Sequence, residues 1–529
     1  MLALLLALLP LLAGAEPSRR LPSPPPPAQA ERTAAPYSRA LAEPVLRDAM
    51  GALQARYLRP VLLADLAANA LSGLATLDPA LALDRGQGEW RLALAGRTIA
   101  RQAPPGPADA AGWTGLVTSF AGAAAQASAP LRQAGQAAIL TALMDGETSR
   151  LDPYTRYVPP AEARAAQDAR RGRGGIGVRA VPAGDGAAIT EVVPDSPADH
   201  AGLAEGDRIL SVDGVRLRGM SEAGIAATLS GEEDTRIVLG VRTLRGTMRQ
   251  LAIIRALVVP RSVTWERRGS AAVFRVSTFN RLTDQQLARA LLEALSAPAA
   301  PSGIVLDLRG NRGGLLRQAV AVADLFLADG EIVATRGRHP DSDRTYVASA
   351  TDLTGGLPLV VLVDGATASA AEIVAASLQA RSRAAVVGSA TMGKGLVQTV
   401  IRLPDEGELV MTWSRVIVPP ARPLHEQGVV PGLCTAFGPE AAARGLALLR
   451  QRAAAPRAAL PRLTEEELAQ RVARQRADCP PREAEPADLD MALALLADPP
   501  AMAAAIGMPA SLPAPPPAAQ PREHLAGAR

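Results

Sequence analysis

Apolar runs and amphipathic segments alternate regularly along residues 268–420. Continuous apolar stretches, such as GIVLDL (303–308) and PLVVLV (358–363), are typical of strands that are buried on both faces. The segments between them carry apolar residues at helical spacing, as in ASAAEIVAASLQA (368–380). This alternation predicts a largely parallel α/β sheet covered by helices, and we place this core domain at residues 257–435.

Two flanking regions have different patterns. Residues 172–256 contain short alternating runs, such as AAITEVV and GDRILSVDGV, with one short helical segment at 221–231. They predict a small β-barrel domain. Residues 436–529 are rich in Ala, Pro and Arg and predict a C-terminal extension with a helix near 464–476 and a disordered tail after Pro509.

The N-terminal part begins with an apolar run that ends in Ala13-Gly14-Ala15, a pattern typical of signal peptidase cleavage. No Lys or Arg precedes this run, which departs from the usual signal, but residues 1–15 still predict a signal peptide cleaved near Ala15. Residues 16–36 predict a Pro-rich linker. Residues 37–165 are Ala/Leu-rich at helical spacing and predict a helical N-terminal domain, with one alternating run, EWRLALAG, that fits a hairpin arm. We therefore expect a periplasmic or otherwise secreted protein without stable membrane insertion.

Composition excludes several classes of function. The net charge is +4, the arginines are spread along the chain and aromatic residues make up 3%, so a nucleic-acid-binding protein is not expected. The four histidines occur singly, which argues against a metal site and against a Ser-His-Asp triad. No cofactor is expected. The two cysteines, Cys434 and Cys479, are either free thiols or a disulfide, and an oxidising compartment favours the disulfide.

Lys394 is the one lysine among the 56 lysines and arginines of the chain. Arginine cannot be deprotonated in a protein, whereas a buried lysine can become a neutral base. The surrounding GSATMGKG (388–395) matches a phosphate-binding loop, but Gly395 stands where Ser or Thr should bind Mg²⁺ and a strand follows. We favour a lysine base over nucleotide binding and over a stray surface lysine.

Ser369 follows a predicted strand and begins a predicted helix, and Lys394 follows the next strand. Both are expected at the same edge of the sheet. A helix-start serine often only caps the helix. Because no histidine is suitably placed, a Ser-Lys dyad is the remaining way to activate this hydroxyl, and Gln398 could hold the lysine amine. DLRGNRGG (307–314) follows another strand, and its adjacent glycines predict either an oxyanion hole or a plain tight turn.

Together these segments resemble the carboxyl-terminal processing proteases, a family of Ser-Lys peptidases with a PDZ domain. The resemblance covers about residues 150–433 and is carried by the motifs NRGG (311–314), ATASAAEI (366–373), MGKGLVQ (392–398), LDPYTRYV (151–158), GGIGVRAV (174–181), SPADHAGLAEGDRILSVDGV (196–215) and ARPLHEQGVVPG (421–432). It departs from the family where Gly310 replaces an Asn, and in Ser389 and Met392 near the lysine. It implies a multidomain α/β fold with a helical N-terminal domain, a PDZ domain and a ClpP/crotonase-like protease core.

The resemblance also implies roles for individual residues. Ser369 is expected to be the nucleophile, Lys394 the base and Gln398 its orienter, with the N–H groups of Gly314 and Ala370 as the oxyanion hole. The PDZ loop is expected to bind the C-terminal carboxylate of a substrate through Gly175, Ile176, Gly177 and Val178.

The implied activity is that of a serine endopeptidase acting on proteins with free C-termini. The alternatives are a catalytically inactive PDZ scaffold that binds C-termini and, by fold analogy alone, an acyl-thioester-binding sheet. Whether the protein also binds an adaptor or forms a homo-oligomer is left open.

Overall fold

The computed structural model describes residues 35–86, 88–171, 173–349, 352–453 and 464–506. The predicted signal peptide, nearly all of the Pro-rich linker and the tail after Pro509 lie outside these residues. Within them, no single helix is long and apolar enough to cross a membrane, although one sharply bent pair of C-terminal helices passes that test by length and composition.

The N-terminal region combines helices with a small antiparallel sheet, whose strand order is β1-β2-β3. EWRLALAG forms the central strand of this sheet, so the alternating run belongs to a three-stranded arrangement. The helices share one hydrophobic core with Leu403, Leu409 and Met411 of the protease-core region. The elements are α1 (Arg39–Arg56), α2 (Leu63–Gly73), β1 (Leu81–Arg85), β2 (Trp90–Leu94), β3 (Arg97–Gln102), α3 (Ala110–Ala127), α4 (Ala129–Thr148), β4 (Arg156–Val158) and α5 (Pro160–Arg171).

The next region is a compact sheet domain with its own hydrophobic core. Its strand order is β11-β10-β8-β7-β6, so β6 lies at the edge of the sheet, and β9 pairs with β8. The two ends of the region are joined where β5 pairs with β12. The elements are β5 (Arg173–Gly175), β6 (Val178–Ala183), β7 (Gly186–Val192), α6 (Pro197–His200), β8 (Arg208–Val212), β9 (Val215–Arg216), α7 (Glu222–Leu229), β10 (Arg236–Arg242), β11 (Met248–Ile254) and β12 (Ala256–Val258).

The protease-core region is built on a sheet of order β13-β14-β15-β18-β19-β23, in which all neighbours from β14 onward are parallel. This confirms the predicted α/β architecture. The elements are β13 (Val263–Arg268), β14 (Ala271–Val276), α8 (Thr283–Leu295), β15 (Gly303–Asp307), α9 (Leu316–Asp324), β16 (Glu331–Gly337), β17 (Arg344–Val347), β18 (Leu359–Val363), α10 (Ala370–Ala380), β19 (Ala385–Gly388), β20 (Leu396–Arg402), β21 (Glu408–Val418), β22 (Arg422–Pro423) and β23 (Leu433–Cys434).

A second, antiparallel sheet of order β17-β16-β21-β20 lies beside the first, and β4 extends it by pairing with β21. The segment EIVATRG (331–337), which follows α9 in the chain as other strands follow helices, lies not in the parallel sheet but in this second sheet, as β16. The reason is that β16 turns back into β17 as an antiparallel hairpin, whereas a parallel neighbour needs a crossover.

The C-terminal extension is more helical than the sequence suggests. Its helices α11, α13 and α14 cover one face of the parallel sheet and bury Val305, Val360 and Val387. The apolar sides of the bent pair α13–α14 are thus part of this core. The prediction of one helix near 464–476 missed α11, α13 and α14, because the Ala-rich segments that form them have no strong helical periodicity of apolar residues. The helices are α11 (Pro439–Ala453), α12 (Glu465–Asp478), α13 (Pro486–Leu496) and α14 (Pro499–Ile506).

Candidate active site

Three turns meet where parallel strands end. We call them the glycine turn (308–314, after β15), the serine turn (364–369, after β18) and the lysine turn (389–394, after β19). The carboxyl ends of neighbouring parallel strands lie at one edge of a sheet, which is the usual ligand site of α/β folds. The sequence predicted a shared edge for Ser369 and Lys394, and the parallel pairing of β18 with β19 agrees with this.

Ser369 has an unusual backbone conformation, with φ 57° and ψ −117°. A non-glycine residue in this region costs of order 1–3 kcal/mol and persists only where the surroundings enforce it. Its own N–H donates to Oε2 of Glu372 at 2.8 Å. The side chain is half-buried at the first turn of α10. The turn therefore holds the Ser369 hydroxyl in a fixed, partly accessible position.

The glycine turn packs directly against Ser369. The Ala368 N–H donates to the Asn311 carbonyl at 2.9 Å. A Cβ on Gly313, whose φ is 99°, would lie 2.8 Å from the Ser369 Cβ and 2.9 Å from the Ala370 nitrogen, so only glycine fits. Buried Asn311 fixes the turn by donating to the Val276 carbonyl and accepting from the Gly313 N–H, both at 2.8 Å.

One backbone N–H group of the glycine turn and one that follows Ser369 make no hydrogen bond among the described residues. Gly314 forms a parallel β-bridge with Phe279. In this bridge the Phe279 N–H donates to the Gly313 carbonyl, and the Leu315 N–H donates to the Phe279 carbonyl. Within the part of the chain that the structure describes, neither the Gly314 N–H nor the Ala370 N–H has a hydrogen-bond partner. Such paired donors beside a hydroxyl can stabilise an oxyanion.

Lys394 is half-buried, and its Nζ lies 4.6 Å from the centre of the Tyr154 ring. Burial lowers the pKa of Lys394, and the Arg156 charge lowers this pKa further, while Glu372 and Asp152 oppose the shift. Among the described residues, Nζ makes no hydrogen bond, so it is not bonded to the Ser369 hydroxyl in this structure. A catalytic hydrogen bond often forms only when substrate is bound.

Glu372 joins the serine and lysine turns, and the sequence reading missed it. The carboxylate is fully buried and accepts from the N–H groups of Ser369 (2.8 Å), Gly393 (2.6 Å) and Lys394 (2.8 Å), and from the Thr391 hydroxyl. The signal was present, since a Glu three residues after a helix-start serine is the third position of a capping box. Here that carboxylate also holds the lysine turn.

Replacing Glu372 by glutamine is expected to lower both stability and the cleavage rate. The amide keeps one acceptor oxygen but turns an NH₂ group towards backbone donors, and hydrogen bonds to a charged group contribute about 1.5–3 kcal/mol each. We expect a loss of about 2 kcal/mol or more in the free energy of unfolding, measured with denaturant. Exposed Glu440→Gln is the control. An unchanged midpoint and rate would contradict this role of Glu372.

Gln398 lies on β20, and its amide donates to the Leu396 carbonyl (3.3 Å) and to the Thr412 hydroxyl (3.2 Å). No hydrogen bond joins it to Lys394 among the described residues. The Thr412 hydroxyl in turn donates to Asp152 at 2.9 Å, and Asp152 accepts from the Tyr154 N–H at 2.8 Å. Gln398 is thus linked to Tyr154, whose ring faces Lys394, through the hydrogen bonds of Thr412 and Asp152. The sequence gives no sign of this chain of hydrogen bonds.

The candidate peptide-binding loop lies at the start of β6. The Ile176 carbonyl accepts from the Ala198 N–H (2.7 Å) and the Gly177 carbonyl from the Val193 N–H (2.8 Å). Gly177 has a φ of 84° and packs against Ser196. Gly175 pairs with Ala256, and Val178 begins the edge strand β6. This free edge, with α7 packed against β6, can accept an added strand.

Residues 270–433 match peptidase family S41, and residues 188–243 match the PDZ domain. A carboxy-terminal-processing protease of Bartonella bacilliformis is 33% identical over 295 residues, which are 55% of this chain and 68% of that protein. The chloroplastic carboxyl-terminal-processing peptidase 1 of Arabidopsis thaliana is 34% identical over 53% of this chain and 59% of that protein. Among solved structures, the photosystem II D1 C-terminal processing protease is 24% identical, with a TM-score of 0.38, over 74% of this chain and 92% of that one.

The matched region contains the glycine, serine and lysine turns. The PDZ match falls on the sheet domain that carries the edge strand β6. The chain therefore belongs to the carboxyl-terminal-processing proteases, serine-type peptidases of peptidase family S41.

Proposed function

We propose that this protein is a serine endopeptidase in which Ser369 is the nucleophile and Lys394 the general base. The observation that carries the proposal is the strained backbone of half-buried Ser369, packed against the glycine turn, with Gly314 and Ala370 N–H groups that have no partner among the described residues. Glu372 holds the lysine turn against the serine turn. The lowered pKa of Lys394 supports its role as a neutral base for the Ser369 hydroxyl, and the two N–H groups support an oxyanion hole.

The reaction proceeds through an acyl-enzyme. Neutral Lys394 takes the proton of the Ser369 hydroxyl as the oxygen adds to the peptide carbonyl, whose developing charge is stabilised by the Gly314 and Ala370 N–H groups. The C–N bond then breaks, and the leaving nitrogen takes the proton from the Lys394 ammonium. Water attacks the ester and gives a proton to Lys394, which returns it to the Ser369 oxygen. Gln398 orients Lys394 through Thr412 and the segment that carries Tyr154.

Substrates are proteins with free C-termini, which add a strand to the edge of β6. The N–H groups of the loop Gly175–Val178 receive the terminal carboxylate. Nη2 of Arg179 on β6 lies 3.9 Å from Oε1 of Glu222 on α7, so an exposed ion pair joins this edge strand to the helix. The disulfide between Cys434 and Cys479 supports an oxidising compartment such as the periplasm. Recruitment by an adaptor, or assembly as a homo-oligomer, stays a prediction.

We expect cleavage to become faster from neutral towards alkaline pH. Lys394 acts only as the neutral amine, and the fraction of this form increases as the pH rises through its lowered pKa. Arg156→Gln removes a charge that lowers this pKa, so the pKa of Lys394 should rise and the alkaline limb of the kcat/KM profile should move to higher pH. Exposed Arg101→Gln is the control. An acid-peaked profile, or superimposable Arg156→Gln and native profiles, would contradict the neutral-lysine mechanism.

The alternative is a catalytically inactive scaffold that captures C-termini. It is favoured by one observation, that Lys394 Nζ faces the Tyr154 ring without a hydrogen bond to Ser369. The test is incubation of the purified protein with an unfolded protein that ends in small apolar residues, followed by mass spectrometry of the fragments. The proposal predicts cleavage by the native protein and none by Ser369→Ala. An intact substrate that is nevertheless captured would favour the scaffold.

A further inference from the structure

The segment from Arg476 to Asp488, which we call the strap, connects α12 to α13 and runs past all three active-site turns. It lies in the C-terminal extension, outside residues 270–433 that match the peptidase family. It makes hydrogen bonds with residues of each of these turns. Their number and placement suggest a role beyond closing the fold.

The first contact holds the lysine turn. Half-buried Arg476 donates from Nη1 to the Thr391 carbonyl (2.9 Å) and to the Gln427 carbonyl (3.0 Å). Thr391 is the residue whose hydroxyl donates to Glu372. A Cβ on Gly428, whose φ is 59°, would lie 2.7 Å from Nη1 of Arg476. Any larger residue at position 428 would therefore crowd the guanidinium. Arg476 therefore fixes the backbone three residues before Lys394.

The second contact joins the strap to the serine turn. The Arg482 carbonyl accepts from the Gly365 N–H at 2.7 Å and from the Ser389 hydroxyl at 3.0 Å, and the Arg482 N–H donates back to the same hydroxyl at 3.0 Å. A Cβ on Gly365 would lie 3.0 Å from the Arg482 nitrogen and oxygen. The backbone of one strap residue, Arg482, thus ties the start of the serine turn to the start of the lysine turn.

The third contact holds the glycine turn. Arg309 donates to the Glu485 carbonyl at 2.9 Å and forms buried ion pairs with Asp307 (2.8 Å) and Asp488 (3.3 Å). Asp488 also accepts from the Thr435 hydroxyl at 2.6 Å. Since buried charges are costly unless paired, this cluster has one favourable arrangement. The strap therefore contacts each of the three turns through polar groups.

The disulfide anchors the strap to the sheet. Cys479 follows α12, and its bond to Cys434 ties the strap to β23. Helix α12 is mostly polar, and the described side chains that it buries are those of Leu468 and Val472. The helix that carries Arg476 is thus attached through little apolar contact, and the covalent bond lies three residues from that arginine.

We propose that residues 476–488 form a disulfide-anchored strap that positions the three active-site turns, with Arg476 as the positioning residue of the lysine turn, and that full peptidase activity requires the Cys434–Cys479 bond. The inference rests on the proposed function. A strap with a merely structural role would change stability but leave the kinetic constants of the folded enzyme unchanged.

The first test replaces Arg476. Arg476→Met keeps the apolar stem but loses both donated hydrogen bonds, and displacement of a catalytic group by about 1 Å costs roughly 10²-fold in rate. We expect kcat for peptide cleavage to fall ten- to a hundredfold, with KM changed by less than about threefold, because β6 binds the substrate elsewhere. Arg476→Lys should recover part of kcat. Exposed Arg474→Met on the same helix should match the native enzyme.

The second test removes the covalent anchor. Dithiothreitol reduces the bond to two thiols and is itself oxidised to its cyclic disulfide. We expect kcat to fall about as far as in Arg476→Met, to return on reoxidation, and to be equally low in the Cys434→Ser/Cys479→Ser variant. Circular dichroism and capture of a C-terminal peptide should be unchanged. If the double variant does not fold, Arg476→Met and reversible reduction decide.

The outcomes separate this proposal from the one on which it rests. Native kcat in both the reduced enzyme and Arg476→Met, with Ser369→Ala inactive, would overturn the strap and leave the peptidase proposal intact. Retained cleavage in Ser369→Ala would overturn the peptidase proposal itself. A fall in stability without a change in kcat would also overturn the positioning role.

Discussion

Ser369→Ala is expected to lower the rate of peptide cleavage by about 10⁴-fold or more. In the proposed mechanism this hydroxyl is the group that forms the acyl-enzyme, so its removal abolishes acylation. The substitution leaves the hydrogen bond from the backbone N–H of residue 369 to Glu372 in place. The variant should therefore fold, and its loss of rate should be chemical.

The measurement is kcat/KM on a peptide with a free C-terminus, with binding of the same peptide followed separately. Binding should stay within about twofold of the native value, because β6 and its loop are untouched. The matched control is Ser377→Ala on the same helix, which removes a hydroxyl that, among the described residues, donates to the Ile373 carbonyl. Cleavage by Ser369→Ala at more than a few per cent of the native rate would contradict the nucleophile.

Lys394→Arg is expected to lower the rate by about 10³-fold or more, the second of the two largest effects. Arginine keeps the positive charge and can still lie over the Tyr154 ring, but it does not lose a proton at any accessible pH. The substitution therefore separates the charge of this residue from its basicity. The residual activity should also lose the alkaline rise of the native profile.

A companion variant distinguishes a lost base from a disturbed turn. Lys394→Ala leaves a space at Nζ, and a small primary amine such as methylamine should restore part of its activity in proportion to the concentration of the neutral amine. Arg fills that space, so Lys394→Arg should not be rescued. Native-like activity in Lys394→Arg, or rescue that is independent of pH, would contradict a neutral-amine base.

Much of the fold could be predicted because continuous apolar runs in the sequence indicate which strands are buried. The strands β15 and β18 are buried along their whole length, and only a sheet covered on both faces produces such continuous apolar runs. The strand β16 is buried in its middle and only partly buried at its ends, and it belongs to the second sheet. An apolar strand records that it is buried, but it does not record which neighbour it pairs with.

The sequence pointed to the candidate reactive residues of the site, but not to the residues that hold its turns in place. Ser369 and Lys394 stood out because each follows a strand and because Lys394 has no counterpart in the chain. Glu372 did not stand out, because a Glu in the first turn of a helix is usually a solvent-exposed residue that caps the helix. The roles of Arg476 and Arg482 were even harder to predict, because their hydrogen-bond partners lie far away in the sequence. The residue pattern of α12 is also that of a polar surface helix.

The most direct test of the central claim is the pH dependence of covalent labelling of Ser369 by a fluorophosphonate, mapped by mass spectrometry of the digested protein. This measures the reactivity of the hydroxyl without any step of substrate release. We expect an adduct on Ser369 that forms faster as the pH rises, with a rate profile that moves to higher pH in Arg156→Gln and no adduct in Lys394→Arg. Labelling of Lys394→Arg at the native rate, or an adduct on a different residue, would contradict it.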